Sequence, residues 1–175
     1  MNDDLLARAR AVKLLIFDID GVLTDGSLFY GDDGQDYKAF NSRDGHGIKM
    51  LRASGVETAI LTGRMSQVVL HRARNLGIGR IIQGAHDKLV SYEAMLIETG
   101  LRAEETAYMG DDVVDLPVMR RCGLACTVPD APIEVQSRSH YVAQAAAGRG
   151  AGREVCELIM RAQGTWAAQL ALYDR

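Results

Sequence analysis

The 175-residue sequence lacks several things, and each absence narrows what the protein can be. Its three cysteines, Cys122, Cys126 and Cys156, are an odd number with no Cys-x-x-Cys spacing and no histidines nearby. That argues against a disulfide framework or a zinc site and for buried, reduced thiols in a cytosolic protein. No apolar run approaches the roughly 20 residues that span a bilayer, so no membrane partner is expected. Basic residues are not in excess: Lys and Arg total 20 against 23 Asp and Glu, for a net charge of -3. A nucleic-acid partner, which calls for a basic face, is therefore not expected. Met1 to Arg10 is charged and helix-prone, without the apolar centre of a secretory signal. Repeats, low-complexity tracts and interdomain linkers do not stand out. What remains is 47% hydrophobic and 25% charged, an ordinary globular composition at a length that suits one domain over residues 1–175 with a substantial core.

Lys13 to Asp25 reads Lys-Leu-Leu-Ile-Phe-Asp-Ile-Asp-Gly-Val-Leu-Thr-Asp. Leu14 to Phe17 is an unbroken apolar run, as expected of a parallel strand covered on both faces. Side chains alternate along an extended chain, so Asp18 and Asp20 fall on one side just where the strand ends. Two acids forced together there repel and lose hydration unless a cation or donors compensate. Gly21 to Thr24 is poor helix-capping sequence and suits a turn that brings backbone close to a ligand.

Downstream, Ser27 to Tyr30 and Gln35 to Phe40 flank Gly31-Asp32-Asp33-Gly34, a β-hairpin signal. Alone it would expose Leu28, Phe29, Tyr30, Tyr37 and Phe40, so the hairpin is expected either to pack on another subunit or to fold back on its own domain. Helices are expected at about 46–53, 66–76, 87–99, 116–121 and 153–163, with a short one near Ile133. Strands are expected at 56–61, 80–83, 106–109, 124–128 and near Tyr141. Strand and helix alternate almost throughout, which predicts an α/β fold with a doubly wound parallel sheet and helices on both faces. The tail, 164–175, is apolar and alanine-rich enough to be helical but has no predicted place.

Ligands bind such sheets at the carboxyl ends of the strands, and the acids gather there. Asp18 and Asp20 follow the first strand, Thr62 the second, and Asp111, Asp112 and Asp115 a later one, with Lys88 opening a helix between. Carboxylates from these two strand ends, Asp18 and Asp20 on one and Asp111, Asp112 and Asp115 on the other, form a hard-oxygen pocket suited to Mg²⁺. Asp18 is then a candidate nucleophile, Asp20 a candidate proton donor and acceptor, Thr62 a donor to phosphoryl oxygens, and Lys88 their counter-charge. Asp112 and Asp115 are expected behind these groups, orienting Lys88 or water.

Asp18-x-Asp20-Gly21-Val22, Thr62-Gly63-Arg64, Lys88 and Gly110-Asp111-Asp112-x-x-Asp115, in that order, resemble the four motifs of the haloacid dehalogenase superfamily. The resemblance implies a Rossmann-like fold with the first Asp as nucleophile, the second as general acid/base and the first Asp of the last motif as a metal ligand. No cap domain is inserted; only the 26–41 hairpin flap interrupts. Phe40 to Gly45, Gln83-Gly84, Gly110 to Met119 and Gly148 to Cys156 further resemble the 3-deoxy-D-manno-octulosonate 8-phosphate phosphatase family. That likeness implies a cytoplasmic Mg²⁺ phosphatase of a small sugar-acid phosphate in lipopolysaccharide biosynthesis, assembled as a homotetramer through its hairpins. It further implies that Asn41, Ser42, Arg43, Asp44 and Gly45, with Lys49, Arg64 and Arg72, contact substrate alongside Asp20 and Lys88. Ser42 and His46 depart from the Val and Tyr expected there, which bears on sugar selectivity.

Three other readings are open. A sister phosphatase acts on nine-carbon keto-sugar acid phosphates; Arg64 after Thr62-Gly63 favours the eight-carbon substrate. A receiver module places its phosphorylated Asp at a middle strand, whereas here Asp-x-Asp follows the first. A catalytically dead scaffold would not need Asp18, Asp20, Lys88 and Asp111 intact. Gly148 to Gly152 lacks the Gly-Lys-Ser/Thr ending of a phosphate loop and reads as a helix-entry loop or a closing segment.

Overall fold

The structure, a computed structural model, describes residues 3–175; Met1 and Asn2, the start of the helix-prone N-terminal stretch, lie outside the described residues. The chain opens with helix α1 (Asp3–Ala11) and enters β1 (Leu14–Phe17), whose four residues are completely buried. A small hairpin, β2 (Phe29–Tyr30) and β3 (Asp36–Tyr37), leads to α2 (Ser42–Ala53), β4 (Glu57–Leu61) and α3 (Gln67–Leu76). Next come β5 (Arg80–Ile82), α4 (Lys88–Thr99), β6 (Thr106–Met109), α5 (Leu116–Met119) and β7 (Leu124–Thr127). The chain closes with α6 (Ile133–Gln136), β8 (Tyr141–Val142), α7 (Ala151–Ala162) and α8 (Trp166–Ala171).

Six strands form one sheet in the order β5-β4-β1-β6-β7-β8, every neighbouring pair parallel. The doubly wound parallel sheet expected from the alternation is what the chain adopts. After β1 the chain builds outward through β4 and β5, then crosses back to place β6 on the other side of β1. The order therefore reverses at β1, and the crevice that such a reversal opens lies beyond the carboxyl ends of β4, β1 and β6. The residues that follow them are Thr62, Asp18 and Gly110-Asp111.

The helix after the hairpin starts at Ser42, four residues earlier than predicted. Asn41 is its N-cap, in extended conformation, and its side-chain oxygen accepts from the Arg43 amide at 2.8 Å. Gly45 lies before the predicted start and Gly47 within the predicted helix, and each costs about 1 kcal/mol against Ala there. Packing overrides that penalty. A Cβ on Gly45 would lie 2.2 Å from Arg72 Nη2, and one on Gly47 2.7 Å from Arg153 Cδ, so the missing side chains let α3 and α7 lie close against α2.

The hairpin ladder is shorter than predicted, two residues on each side, because neither strand has a further partner. Its Leu28, Phe29, Tyr30 and Tyr37 are all about half exposed. The unplaced tail becomes α8, with Trp166 under the guanidinium groups of Arg153 and Arg161 at 5.5 and 4.6 Å, and Tyr173 edge-on to His46 at 5.2 Å. Cys122, Cys126 and Cys156 are free and buried. No helix among the described residues is long and apolar enough to cross a membrane.

Candidate active site

Four segments meet at the crevice. The β1 strand delivers Asp18 directly, its amide bonded to Met109 O of β6 at 3.0 Å. Gly21 follows at φ +81°, a left-handed conformation natural only to glycine; a Cβ there would also stand 2.0 Å from Asp111 Oδ2. The β4 strand delivers Thr62, buried, its amide bonded to Ile82 O at 3.0 Å. Helix α4 begins at Lys88 because Asp87 caps it, accepting from the Leu89 and Val90 amides. The β6 strand delivers Gly110 and Asp111.

Asp18, Asp20, Gly21, Thr62, Arg64, Lys88, Asp111 and Asp112 line one open cleft of about 350 Å³, a volume in the range of small-molecule sites. At its floor Lys88 Nζ bonds Asp18 Oδ2 and Asp115 Oδ1, both at 2.6 Å. Burial alone would depress the Lys88 amine, but the charges of Asp18 and Asp115 outweigh it and hold the amine above its ordinary value. Asp115, fully buried, is saturated. Oδ1 also accepts from Tyr108 OH at 2.6 Å, and Oδ2 accepts from the Asp111 and Asp112 amides at 3.0 and 3.1 Å. It therefore orients both Lys88 and the Asp111 turn. Tyr108, absent from the sequence-derived set, reads there as one more apolar strand residue.

Asp18, Asp111 and Asp115 each offer a carboxylate oxygen within 4.8 Å of the others. Burial first, then the charges of Asp115 and Asp18, push the Asp111 carboxyl up to about 7. Asp18 is held above the ordinary carboxylate range by burial and by Asp115, against Lys88. Three carboxylates facing one ammonium leave an excess of negative charge that a divalent cation would offset. With Asp115 saturated, Asp18 and Asp111 are the two with lone pairs to give. Asp20, assigned to the same cation set from the sequence, turns its carboxylate elsewhere. Oδ1 bonds Lys38 Nζ at 2.5 Å, and Oδ2 is buried with no hydrogen-bond partner and has Arg64 Nε at 3.8 Å.

Of the remaining sequence-derived residues, Arg64 is in the cleft, half exposed, and donates from Nη2 to Tyr30 OH of the hairpin. Arg72 is not among the lining residues. It donates to Asn41 O at 3.1 Å, stands 5.6 Å from the Phe40 ring centroid, and with Asn41, Asp44 and Gly45 surrounds a cavity of only about 10 Å³. Asp44 is buried: Oδ1 accepts from the Arg153 amide at 2.8 Å, capping α7, whose own N-cap, Gly150, has no side chain, while Oδ2 is buried without a hydrogen-bond partner. Ser42, Arg43 and Lys49 are exposed on α2 and outside the cleft lining. Sequence reasoning missed Lys38, whose side chain is only 2% exposed. A lone lysine on an alternating strand carries no signal that the hairpin folds its end back onto Asp20.

No family model matches the chain. It is 46% identical over 161 residues to the 3-deoxy-D-manno-octulosonate 8-phosphate phosphatase of Yersinia pestis, covering 92% of this chain and 86% of that protein. Against the Escherichia coli K12 enzyme of the same name it is 45% identical over 164 residues, 94% and 87% of the two chains. The crystal structure of the Moraxella catarrhalis phosphatase, a complex with magnesium ion, phosphate ion and a KDO molecule, superposes with a TM-score of 0.96 at 39% identity over 99% of each chain. The α/β sheet, the carboxylates gathered at its switch point and this identity over nearly the whole length agree: the chain belongs to the family of 3-deoxy-D-manno-octulosonate 8-phosphate phosphatases.

Proposed function

We propose that this protein hydrolyses the phosphate of 3-deoxy-D-manno-octulosonate 8-phosphate, a Mg²⁺-dependent phosphoric monoester hydrolysis serving lipopolysaccharide biosynthesis. The observation that carries the reading is the cluster of Asp18, Asp111 and Lys88 at the foot of a cleft that also holds Asp20 and Arg64. Mg²⁺ held by Asp18 and Asp111 supplies the positive charge that lets an anionic carboxylate and an anionic phosphate approach.

An Asp18 carboxylate oxygen attacks phosphorus and the bond from phosphorus to the ester oxygen breaks, giving an aspartyl-phosphate. Asp20 gives its proton to the departing sugar oxygen. A water then attacks phosphorus while Asp20 takes a proton from it, releasing phosphate and restoring Asp18. Thr62 donates to the phosphoryl oxygens. Lys88, kept charged by Asp18 and Asp115, holds the nucleophile in place and offsets charge as it moves to those oxygens. The half-exposed Arg64 guanidinium, a fork suited to carboxylates, is placed to meet the substrate's own carboxylate.

The whole of residues 1–175 is read as one catalytic domain with residues 26–41 as a flap, working in the cytoplasm, where its three buried thiols stay reduced. The apolar flap face of Leu28, Phe29, Tyr30 and Tyr37 supports assembly of four copies through their hairpins. The test is phosphate release with Mg²⁺ from a panel of eight-carbon and nine-carbon keto-acid phosphates and plain sugar phosphates, alongside Asp18→Asn. Preference for the eight-carbon acid, lost in Asp18→Asn, is expected. Preference for the nine-carbon acid would overturn the substrate and keep the chemistry; turnover by Asp18→Asn would overturn the chemistry.

A further inference from the structure

Lys38 sits on a hairpin whose apolar residues are half exposed, yet its own side chain is 2% exposed. A lysine so withdrawn from water requires charged partners. It has two: Asp20 Oδ1 at 2.5 Å and, more remotely, Asp36 Oδ2 at 3.8 Å. The consequence falls on Asp20. A carboxylate turns about a broad two-fold torsion and can present either oxygen, so a donor fixed on one oxygen selects the other for chemistry. Here Oδ1 is occupied by the ammonium, and Oδ2, buried with Arg64 Nε 3.8 Å away, has no hydrogen-bond partner, in a residue that lines the cleft.

We propose that Lys38 is a positioning residue for the reaction: by holding Asp20 Oδ1 from the flap, it makes Oδ2 the oxygen that delivers the proton to the leaving group. The inference rests on the role given to Asp20 above. In the first step the Oδ2–H bond breaks as the phosphorus–ester oxygen bond breaks, and the proton ends on the sugar hydroxyl. The charge left on Asp20 then faces the Lys38 ammonium. In the second step the attacking water returns a proton to Oδ2. Because Lys38 belongs to the hairpin, seating of the flap and aiming of Asp20 are one event.

The test separates proton delivery from every other part of catalysis by changing the leaving group. The parameter kcat/KM reports steps up to departure of that group, and p-nitrophenolate departs without needing a proton. Lys38→Met is expected to lower kcat/KM on the sugar-acid phosphate by on the order of 100-fold, within the range of general acid catalysis, and on p-nitrophenyl phosphate by less than about threefold. In an Asp20→Asn background the same substitution should add no further loss on the sugar-acid phosphate, and Lys38→Gln, which keeps an N–H donor, should recover most of it. Equal losses on both substrates, additive losses with Asp20→Asn, or a Gln variant as impaired as Met would each overturn the proposal. Should Lys38→Met fail to fold by its thermal transition, Lys38→Ala carries the same two-substrate comparison. Asp18→Asn, assayed beside them, keeps the outcomes apart: activity there refutes the reading of the site, whereas an inactive Asp18→Asn with substrate-independent Lys38 losses refutes only the positioning role.

Discussion

Replacing Lys88 with Met keeps most of the apolar stem of the side chain and removes the ammonium with its donors. Two bonds of 2.6 Å disappear, to Asp18 Oδ2 and Asp115 Oδ1, and those carboxylates have side chains only 9% and 0% exposed. Removing one partner of a buried ion pair strands the other, at a cost of about 3–5 kcal/mol. For a chain of this length each kcal/mol moves the midpoint by roughly 2–4 °C, so calorimetry at neutral pH should find Lys88→Met melting about 6–20 °C lower. The deficit should depend on pH with a definite sign. The Asp111 carboxyl sits at about 7 in the folded protein, above its ordinary value, and Asp18 is raised too, so the folded state binds more protons than the unfolded one in that interval. Stability from these groups therefore falls as pH rises through it and returns as pH falls. Without Lys88 the carboxylates repel more strongly, so the gap between variant and wild type should narrow as pH is lowered toward about 5. Turnover should fall by roughly 100- to 1000-fold, as for loss of one charged donor at a reacting centre. A variant as stable as wild type at neutral pH, or a deficit indifferent to pH, would refute the view that Lys88 neutralises this cluster.

Three further outcomes follow from the same geometry. Added Mg²⁺ should raise the melting temperature more at pH 8 than at pH 5.5, because Asp111 must lose its proton to bind a cation; equal shifts in calorimetry would contradict the assignment. Gly21→Ala meets Asp111 Oδ2 and needs a positive φ, so it should weaken the apparent Mg²⁺ affinity at least tenfold in activity titrations. A variant with unchanged Mg²⁺ dependence would show that Asp111 is free to move. On the proposed hairpin-mediated assembly, the wild type should sediment as four copies in analytical ultracentrifugation and Phe29→Asp, which charges the exposed flap face, should shift the mass toward one without unfolding the sheet; a wild type that is not four copies, or an unchanged mass in the variant, would overturn that assembly.

The central strands are legible from the sequence because β1, β4, β6 and β7 are buried runs where pattern and packing agree, and their acidic or hydroxyl ends announce the site. What escapes is set by contacts made far along the chain. The first turn of α2, with Gly45, falls outside the predicted helix until Arg72 arrives to fill the space its side chain would take, as Arg153 does beside Gly47. Asp44 enters the expected substrate set only through the family resemblance, and nothing in its neighbourhood in sequence shows that its Oδ1 caps α7, whose own N-cap is a glycine. Lys38 and Tyr108 are invisible for the same reason: each matters through one carboxylate, Asp20 and Asp115 respectively, that only the folded chain brings near.

The most direct test of the account is whether phosphoryl passes through Asp18. Wild-type protein mixed with Mg²⁺ and phosphoryl-labelled substrate, quenched in acid within the first turnover and digested, should yield label on the peptide carrying Asp18, and Asp18→Asn should yield none. Label on another residue would make that residue the nucleophile, and full turnover with no labelled protein at any quench time would mean that water attacks the substrate directly; in either case the carboxylate at the end of β1 serves some other purpose.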